Sequence, residues 1–193
     1  MSKKLILASG SPRRRELLSQ HGIKADIMPV DVDENIDAIS SAKEAVMFLA
    51  LKKALCASKH AAPGTLIIAA DTVVNKNGIM GKPKDISEAE EMLMRINGTD
   101  HEVMTGIAVI ETGTDKKEVL CDITKVFCKK YTKKEIDEYI ATGEPFDKAG
   151  AYAIQGAFGK YVDRIEGNYE TVVGLPVDVL VRLIKERFGT SIA

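Results

Sequence analysis

The sequence predicts an α/β fold built on a mixed, strongly twisted sheet with helices on its faces. Short apolar runs alternate with amphipathic stretches along most of the chain, the rhythm of strand and helix in turn. The strands are of two kinds. Leu5 to Ala8 and Thr65 to Ala70 are continuous apolar runs of the sort buried on both faces, whereas His101 to Glu111 and Glu118 to Cys128 alternate and flank a turn. Size is the third observation: 193 residues suit one domain, or two closely joined lobes, at about 100–200 residues per domain.

Each element follows from its local chemistry. After the strand at Leu5 to Ala8, Pro12 sits where a first-turn proline is tolerated, and the helix it opens stops near Gly22. A second strand covers Ala25 to Val30, and Asp31-Val32-Asp33-Glu34-Asn35 follows as an acidic loop. The longer helix runs from about Ser41 to Lys59. Pro63 and Gly64 punctuate before Thr65 to Ala70, a central strand expected to deliver Asp71 at its exit. Asn75-Lys76-Asn77-Gly78 is a turn signal, so Val73-Val74 and Ile79-Met80 form a small hairpin before Gly81-Lys82-Pro83. A helix spans Ser87 to Ile96, with Met92 and Met94 assigned to packing. Two antiparallel strands flank Gly113-Thr114-Asp115, and Thr132 with Glu135 makes a capping-box signature for a helix to about Thr142. Gly143 to Gly159 reads as an ordered loop near a site, and Tyr161 to Ile165 as a strand. Leu175-Pro176 opens the last helix, whose Val177, Leu180, Val181 and Ile184 recur at helical spacing.

Charge and composition exclude several classes. With 45% hydrophobic and 28% charged residues the chain has enough apolar material for a core and is not of disordered type. The 27 Lys and Arg against 28 Asp and Glu leave no basic field to hold nucleic acid, so any polyanion bound must be small and locally gripped. No Trp and only five Phe and five Tyr are on hand for base stacking. Cys56, Cys121 and Cys128 fit neither a disulfide framework nor a zinc site, which points to a reducing cytoplasm. The N-terminal apolar run is too short for a signal peptide, and no run reaches the roughly 20 residues of a membrane span.

Four features could carry chemistry. Ala8-Ser9-Gly10-Ser11-Pro12-Arg13-Arg14 places small residues in a strand-to-helix turn with two guanidinium groups behind them. Helix N–H groups, hydroxyls and bidentate arginines suit a phosphate, although a capped helix with solvated arginines is the plainer alternative. Asp31, Asp33, Glu34 and Asp71 form a set of strand-end carboxylates: Asp33 or Glu34 alone reads first as a solvated loop residue, whereas Asp71 is the costly one, since it closes an apolar run and needs a partner or a metal. Lys53 and Lys82 are either surface lysines or phosphate contacts. Asp147 to Gly156 is either a tight structural loop or a reader of a base through Gln155, whose amide both donates and accepts. His21, His60 and His101 share no triad or metal spacing.

Taken together, Leu7 to Arg14, Asp33-Glu34, Ala70-Asp71-Thr72, Gly81-Lys82-Pro83, Asp147 to Gly156 and Val173-Gly174-Leu175-Pro176 stand in the order found in Maf proteins. The whole chain resembles that family, in the branch described as dTTP/UTP pyrophosphatases and formerly as septum formation inhibitors. The resemblance implies one Maf-type domain over residues 1–193, an inosine-triphosphatase-like fold with two lobes around a nucleotide cleft. It also implies water attack on the α-phosphorus of a nucleoside triphosphate, releasing the monophosphate and pyrophosphate. On this resemblance the catalytic residues are Asp71, regarded as the proton acceptor, Glu34 and Lys82. Ser9, Arg13, Arg14 and Lys53 bind substrate, while Arg13, Thr72 and Gln155 occupy the base-preference positions. Glu34 and Asp71 would hold a divalent cation, Mg²⁺ or Mn²⁺. The partner is the nucleotide, with no nucleic acid and no membrane, and the expected state is a cytoplasmic homodimer. Ala153 stands where the family commonly has Gly. A nucleotide-binding regulator of septum formation, acting through a protein partner, is the alternative that the family name leaves open.

Overall fold

A computed structural model describes residues 3–36, 39 and 41–192. The first strand, β1 (Leu5–Leu7), is buried throughout and pairs in parallel with β2 (Asp26–Ile27) on one side and β3 (Leu66–Asn75) on the other. Helix α1 (Pro12–Gln20) connects β1 to β2, and α2 (Ala42–Ser58) leads from the acidic loop to β3. Then follow β4 (Ile79–Met80), α3 (Ile86–Ile96), β5 (Asp100–Glu111), β6 (Lys117–Cys128) and α4 (Lys133–Ile140). Three short 3₁₀ turns at Glu144–Asp147, Ala149–Ala151 and Ala157–Tyr161 precede β7 (Val162–Glu166). The chain ends through α5 (Tyr169–Val173), α6 (Val177–Leu183) and a π-helical turn at Ile184–Phe188. The strands pair in the order β2-β1-β3-β5-β6-β7, with β4 on β3, giving the mixed sheet expected.

Several local expectations hold. Asn77 and Gly78 both take positive φ, 53° and 122°, so the Asn-Gly signal turns β3 antiparallel onto β4, with Val74 opposite Met80. The helix expected over Ser87 to Ile96 forms as α3 and begins one residue earlier, because the side chain of Asp85 accepts the N–H of Glu88 at 2.8 Å and caps it; Ala89, Met92, Leu93 and Ile96 are buried. Thr132 and Glu135 form a reciprocal capping box at α4. Thr132→Ala removes the acceptor of the Glu135 N–H and is expected to lower stability by about 1 kcal/mol, read from a urea-unfolding midpoint. An unchanged midpoint would mean that tertiary packing alone holds the end of α4.

Other expectations are corrected. Asp71 does not close its strand: β3 continues for four more residues, so the carboxylate sits within a strand that has neighbours on both sides. The second strand shortens to Asp26–Ile27, because Pro29 lacks the N–H that a longer ladder needs. Met94 lies on the outer face of α3, 48% exposed, so packing is assigned to Met92 only. Val181 is partly exposed, and Leu183 takes the core position instead.

The chain divides into two compact units, the first comprising Met1–Asp71, Thr105–Asp122 and Gly174–Ala193, the second Thr72–Met104 and Ile123–Val173. The first buries a core of small residues, with Ala50, Ala54 and Ala57 of α2 among Ile6, Ala8, Ile67, Ala69, Ala108 and Ile110. Helix and strand approach closely there. A Cβ on Gly106 would meet the carbonyl oxygen of Val46 at 2.3 Å, so only glycine lets α2 lie this close to β5. The second unit packs an aromatic cluster instead, in which Phe158 sits within 5.5 Å, centroid to centroid, of Tyr131, Tyr139, Tyr152 and Tyr161. Among the described residues no helix is long and apolar enough to cross a membrane.

Candidate active site

The site in the first unit begins where β1 ends. The Ala8 N–H still donates to the Ile68 carbonyl at 2.7 Å, extending the parallel pairing by one residue, and Ser9 follows, buried to 8% exposure. Its hydroxyl oxygen accepts the Ser11 N–H at 3.2 Å and the Arg14 Nη1 at 3.3 Å, which folds the turn back upon itself. Ser11 is the N-cap of α1 but makes no side-chain cap bond, and no acidic residue occupies the first turn. Instead Arg13, Arg14 and Arg15 stand there, where their charge opposes the helix dipole. An isolated helix would be weakened by that choice. It makes sense where an anion is to be gathered, since uncapped N–H groups and guanidinium donors then serve the same ligand.

Arg14 is held rather than loose. Its Nε donates to the Gly174 carbonyl at 2.8 Å, so the Val173-Gly174-Leu175-Pro176 segment contributes a backbone oxygen that aims the guanidinium. Burial pushes the Arg14 group below its ordinary value, Asp71 opposes that shift, Arg13 adds to it, and Glu34 opposes it again. Four of the residues singled out in the sequence thus share one electrostatic neighbourhood.

Lys53 supplies the centre of it. Its Nζ lies 2.6 Å from Asp71 Oδ1 and 2.6 Å from Glu34 Oε1, drawing together carboxylates from the middle of β3 and from the loop before α2. The Lys53 and Asp71 side chains are only 13% and 12% exposed, whereas Glu34 is half open to solvent at 53%. The buried pair satisfies the cost of placing Asp71 within a strand. The acidic loop splits in function: Asp33 accepts the Asn35 N–H at 3.0 Å and pairs with Lys52 at 3.4 Å, holding the loop itself, while Glu34 alone reaches Lys53. The Asn35 N–H, followed by the Lys52 charge, holds the Asp33 carboxyl below its ordinary value.

The donor set suits a hard cation. Two carboxylates from separate segments converge on one positive centre, and oxygen donors of this kind fit Mg²⁺ or Mn²⁺. Among the described residues no group of three or more His, Cys, Asp and Glu is arranged to hold a metal, so water and phosphate oxygens would have to complete its shell.

The remaining expected residues lie in the second unit. Thr72 follows Asp71 on β3 and is partly buried; Lys82 and Gln155 are exposed. The Gly150 N–H donates to the Gly81 carbonyl at 2.9 Å and ties the Lys82 turn to the loop that carries Gln155. Gly150 makes this possible: its φ is +68°, and a Cβ there would meet Val74 at 2.7 Å. Sequence reasoning missed two contributors, the Gly174 carbonyl and the bridging place of Lys53. Cys121 and Cys128 offer no nucleophile, for burial pushes their thiols up to about 11 and about 12.

The profile of the family described as "Maf-like protein" matches residues 4–187. This chain belongs to the Maf family. Its relatives include proteins named dTTP/UTP pyrophosphatase in Alkaliphilus oremlandii, 44% identical over 98% of this chain and 99% of that one, and in Acetivibrio thermocellus, 47% identical over 98% and 97%. A Bacillus cereus protein of the same name is 45% identical over 95% and 90%. In structure the Maf chain is similar to the Staphylococcus aureus Ham1 protein, with a TM-score of 0.53 over 95% of this chain and 99% of that one at 13% identity, a likeness of fold.

Proposed function

We propose that this Maf protein is a nucleoside triphosphate pyrophosphatase acting on dTTP and UTP, the activity for which its relatives are named. The observation that carries the reading is the meeting of Asp71 and Glu34 on Lys53, in the electrostatic reach of Arg14. Carboxylates that can take a proton and hold a cation stand beside cations that can take a polyphosphate. Ser9, Arg13 and Arg14 bind the triphosphate, and Lys53 and Lys82 add positive charge. Water bonds to the α-phosphorus, the bond to the bridging oxygen breaks, pyrophosphate leaves with the electron pair, and the proton of the water passes to Asp71. Glu34 and Asp71 would hold Mg²⁺ or Mn²⁺, which would supply neutralisation of phosphate charge. Arg13, Thr72 and Gln155 set the preference for thymine and uracil.

The test is product analysis with dTTP, UTP, CTP, ATP and GTP, each with and without Mg²⁺ or Mn²⁺. Monophosphate and pyrophosphate, formed fastest from dTTP and UTP and only with the cation, are the expected outcome. Release of orthophosphate would place the attack at the γ-phosphorus and overturn the reading, as would nucleotide binding without turnover.

A further inference from the structure

Gln155 is exposed and reads its base only from wherever the backbone holds it. Uracil and thymine present a carbonyl acceptor at position 4 where cytosine presents an amino donor, and a glutamine amide can turn over to suit either. Discrimination therefore needs a fixed platform beneath the side chain.

The second unit contains one. Residues Ala153 to Gly156 form a four-residue turn closed by the Gly156 N–H to the Ala153 carbonyl at 3.1 Å, with Gln155 at its third position. Both sides of this turn are fastened to the same pair of side chains. The Ala153 backbone hydrogen-bonds the Tyr139 hydroxyl, and that hydroxyl donates to Glu144 Oε1 at 3.1 Å. The other carboxylate oxygen, Glu144 Oε2, accepts the Ala157 N–H at 3.0 Å. Gln155 lies two residues from each anchor. The carboxylate also fills the space over Gly156, where a Cβ would fall 1.8 Å from Glu144 Oε1. Tyr139 is fixed in turn, 4% exposed in the aromatic cluster with its ring centroid 5.3 Å from that of Phe158.

We infer that Tyr139 and Glu144 clamp the Ala153–Gly156 turn and thereby set the base preference exerted through Gln155. Glu144 is a positioning residue that touches no reacting atom. The inference rests on the proposed reading of Gln155 as the base-preference residue.

The test compares kcat/KM for UTP and CTP in the wild type, Gln155→Ala, Glu144→Ala, Glu144→Gln and the Glu144→Ala/Gln155→Ala double variant. The UTP:CTP ratio is expected to fall about tenfold in Gln155→Ala and by a similar factor in Glu144→Ala, with no further fall in the double variant. Glu144→Gln should keep the ratio, because its amide can still accept from Ala157 and donate to Tyr139. Gly156→Ala is the second variant. Its φ of −101° accepts alanine, and the new methyl displaces only the mobile end of Glu144, so the fold survives while the clamp opens and the ratio falls.

A wild type without a UTP:CTP preference, or a preference that survives Gln155→Ala, overturns the reading of Gln155 and this inference with it. If Gln155→Ala loses the preference while Glu144→Ala and Gly156→Ala keep it, or slow both nucleotides alike, the clamp fails and the Gln155 reading stands. Fully additive effects in the double variant would overturn the clamp as well.

Discussion

Asp71→Asn is expected to lower pyrophosphate release by about 10²–10⁴-fold, the span associated with loss of one positioned acid–base group, while nucleotide binding persists. The substitution keeps the shape of the side chain and an oxygen that can accept from Lys53, at 2.6 Å in the native protein. It removes the negative charge and, with it, the proton acceptor that the proposed mechanism requires. Lys53 keeps its second partner, Glu34, also at 2.6 Å, so its ammonium is not left as an uncompensated buried charge. Binding of dTTP, measured by equilibrium titration, should change little, because Ser9, Arg13 and Arg14, the proposed triphosphate contacts, are untouched.

The two assays separate two roles for Asp71. As a participant in the reaction it should affect kcat far more than affinity. As no more than the structural counter-charge of Lys53 it should affect thermal stability and leave turnover near the wild-type rate. Wild-type turnover in a folded Asp71→Asn protein would remove Asp71 from the chemistry and with it the centre of the proposed site.

What the sequence reveals of this architecture depends on how far apart the cooperating residues lie. The cap of α4 and the turn between β3 and β4 are legible because each is complete within four residues. The course of β3 is not. Thr65 to Ala70 ends in a carboxylate, which reads locally as a strand exit, but the strand continues past Asp71 because sheet neighbours and Lys53 satisfy backbone and side chain alike. The Gly143 to Gly159 stretch shows that an ordered loop is present, yet three 3₁₀ turns of three to five residues carry no periodic signal. The candidate site divides in the same way. Ser9 and Arg14 meet within one turn, whereas the carbonyl that orients Arg14 lies 160 positions away, in a segment with no polar side chain to announce it. Lys53 reads as a phosphate contact from its charge; only the folded chain places it between Glu34 and Asp71.

His101 is the clearest case of a role invisible in sequence, and it gives the protein a defined response to acid. It is 1% exposed, its Nε2 lies 2.6 Å from the Tyr152 hydroxyl oxygen, and its Nδ1 has no hydrogen-bond partner. Burial, reinforced by the Lys76 charge and opposed by Asp100, pushes its pKa down from 6.5 to about 4. Burial also raises the Tyr152 hydroxyl well above its ordinary value, so that partner stays neutral and offers no counter-charge. Between about pH 6.5 and 4 the unfolded chain therefore binds a proton at His101 that the folded chain refuses, and stability must fall as the pH falls. The contribution is intact above about pH 6.5 and is lost progressively down to about pH 4, about 3 kcal/mol in all at roughly 1.4 kcal/mol for each pH unit crossed. Urea unfolding of the wild type and His101→Gln from pH 7.5 to 4 isolates it, since every other titrating group is common to both proteins. The wild type is expected to lose stability more steeply, so that the difference between the two shifts by about 3 kcal/mol in favour of the variant. Parallel curves would mean that His101 takes up its proton in the folded chain as readily as in the unfolded one, and that the core around Tyr152 opens to admit a charge.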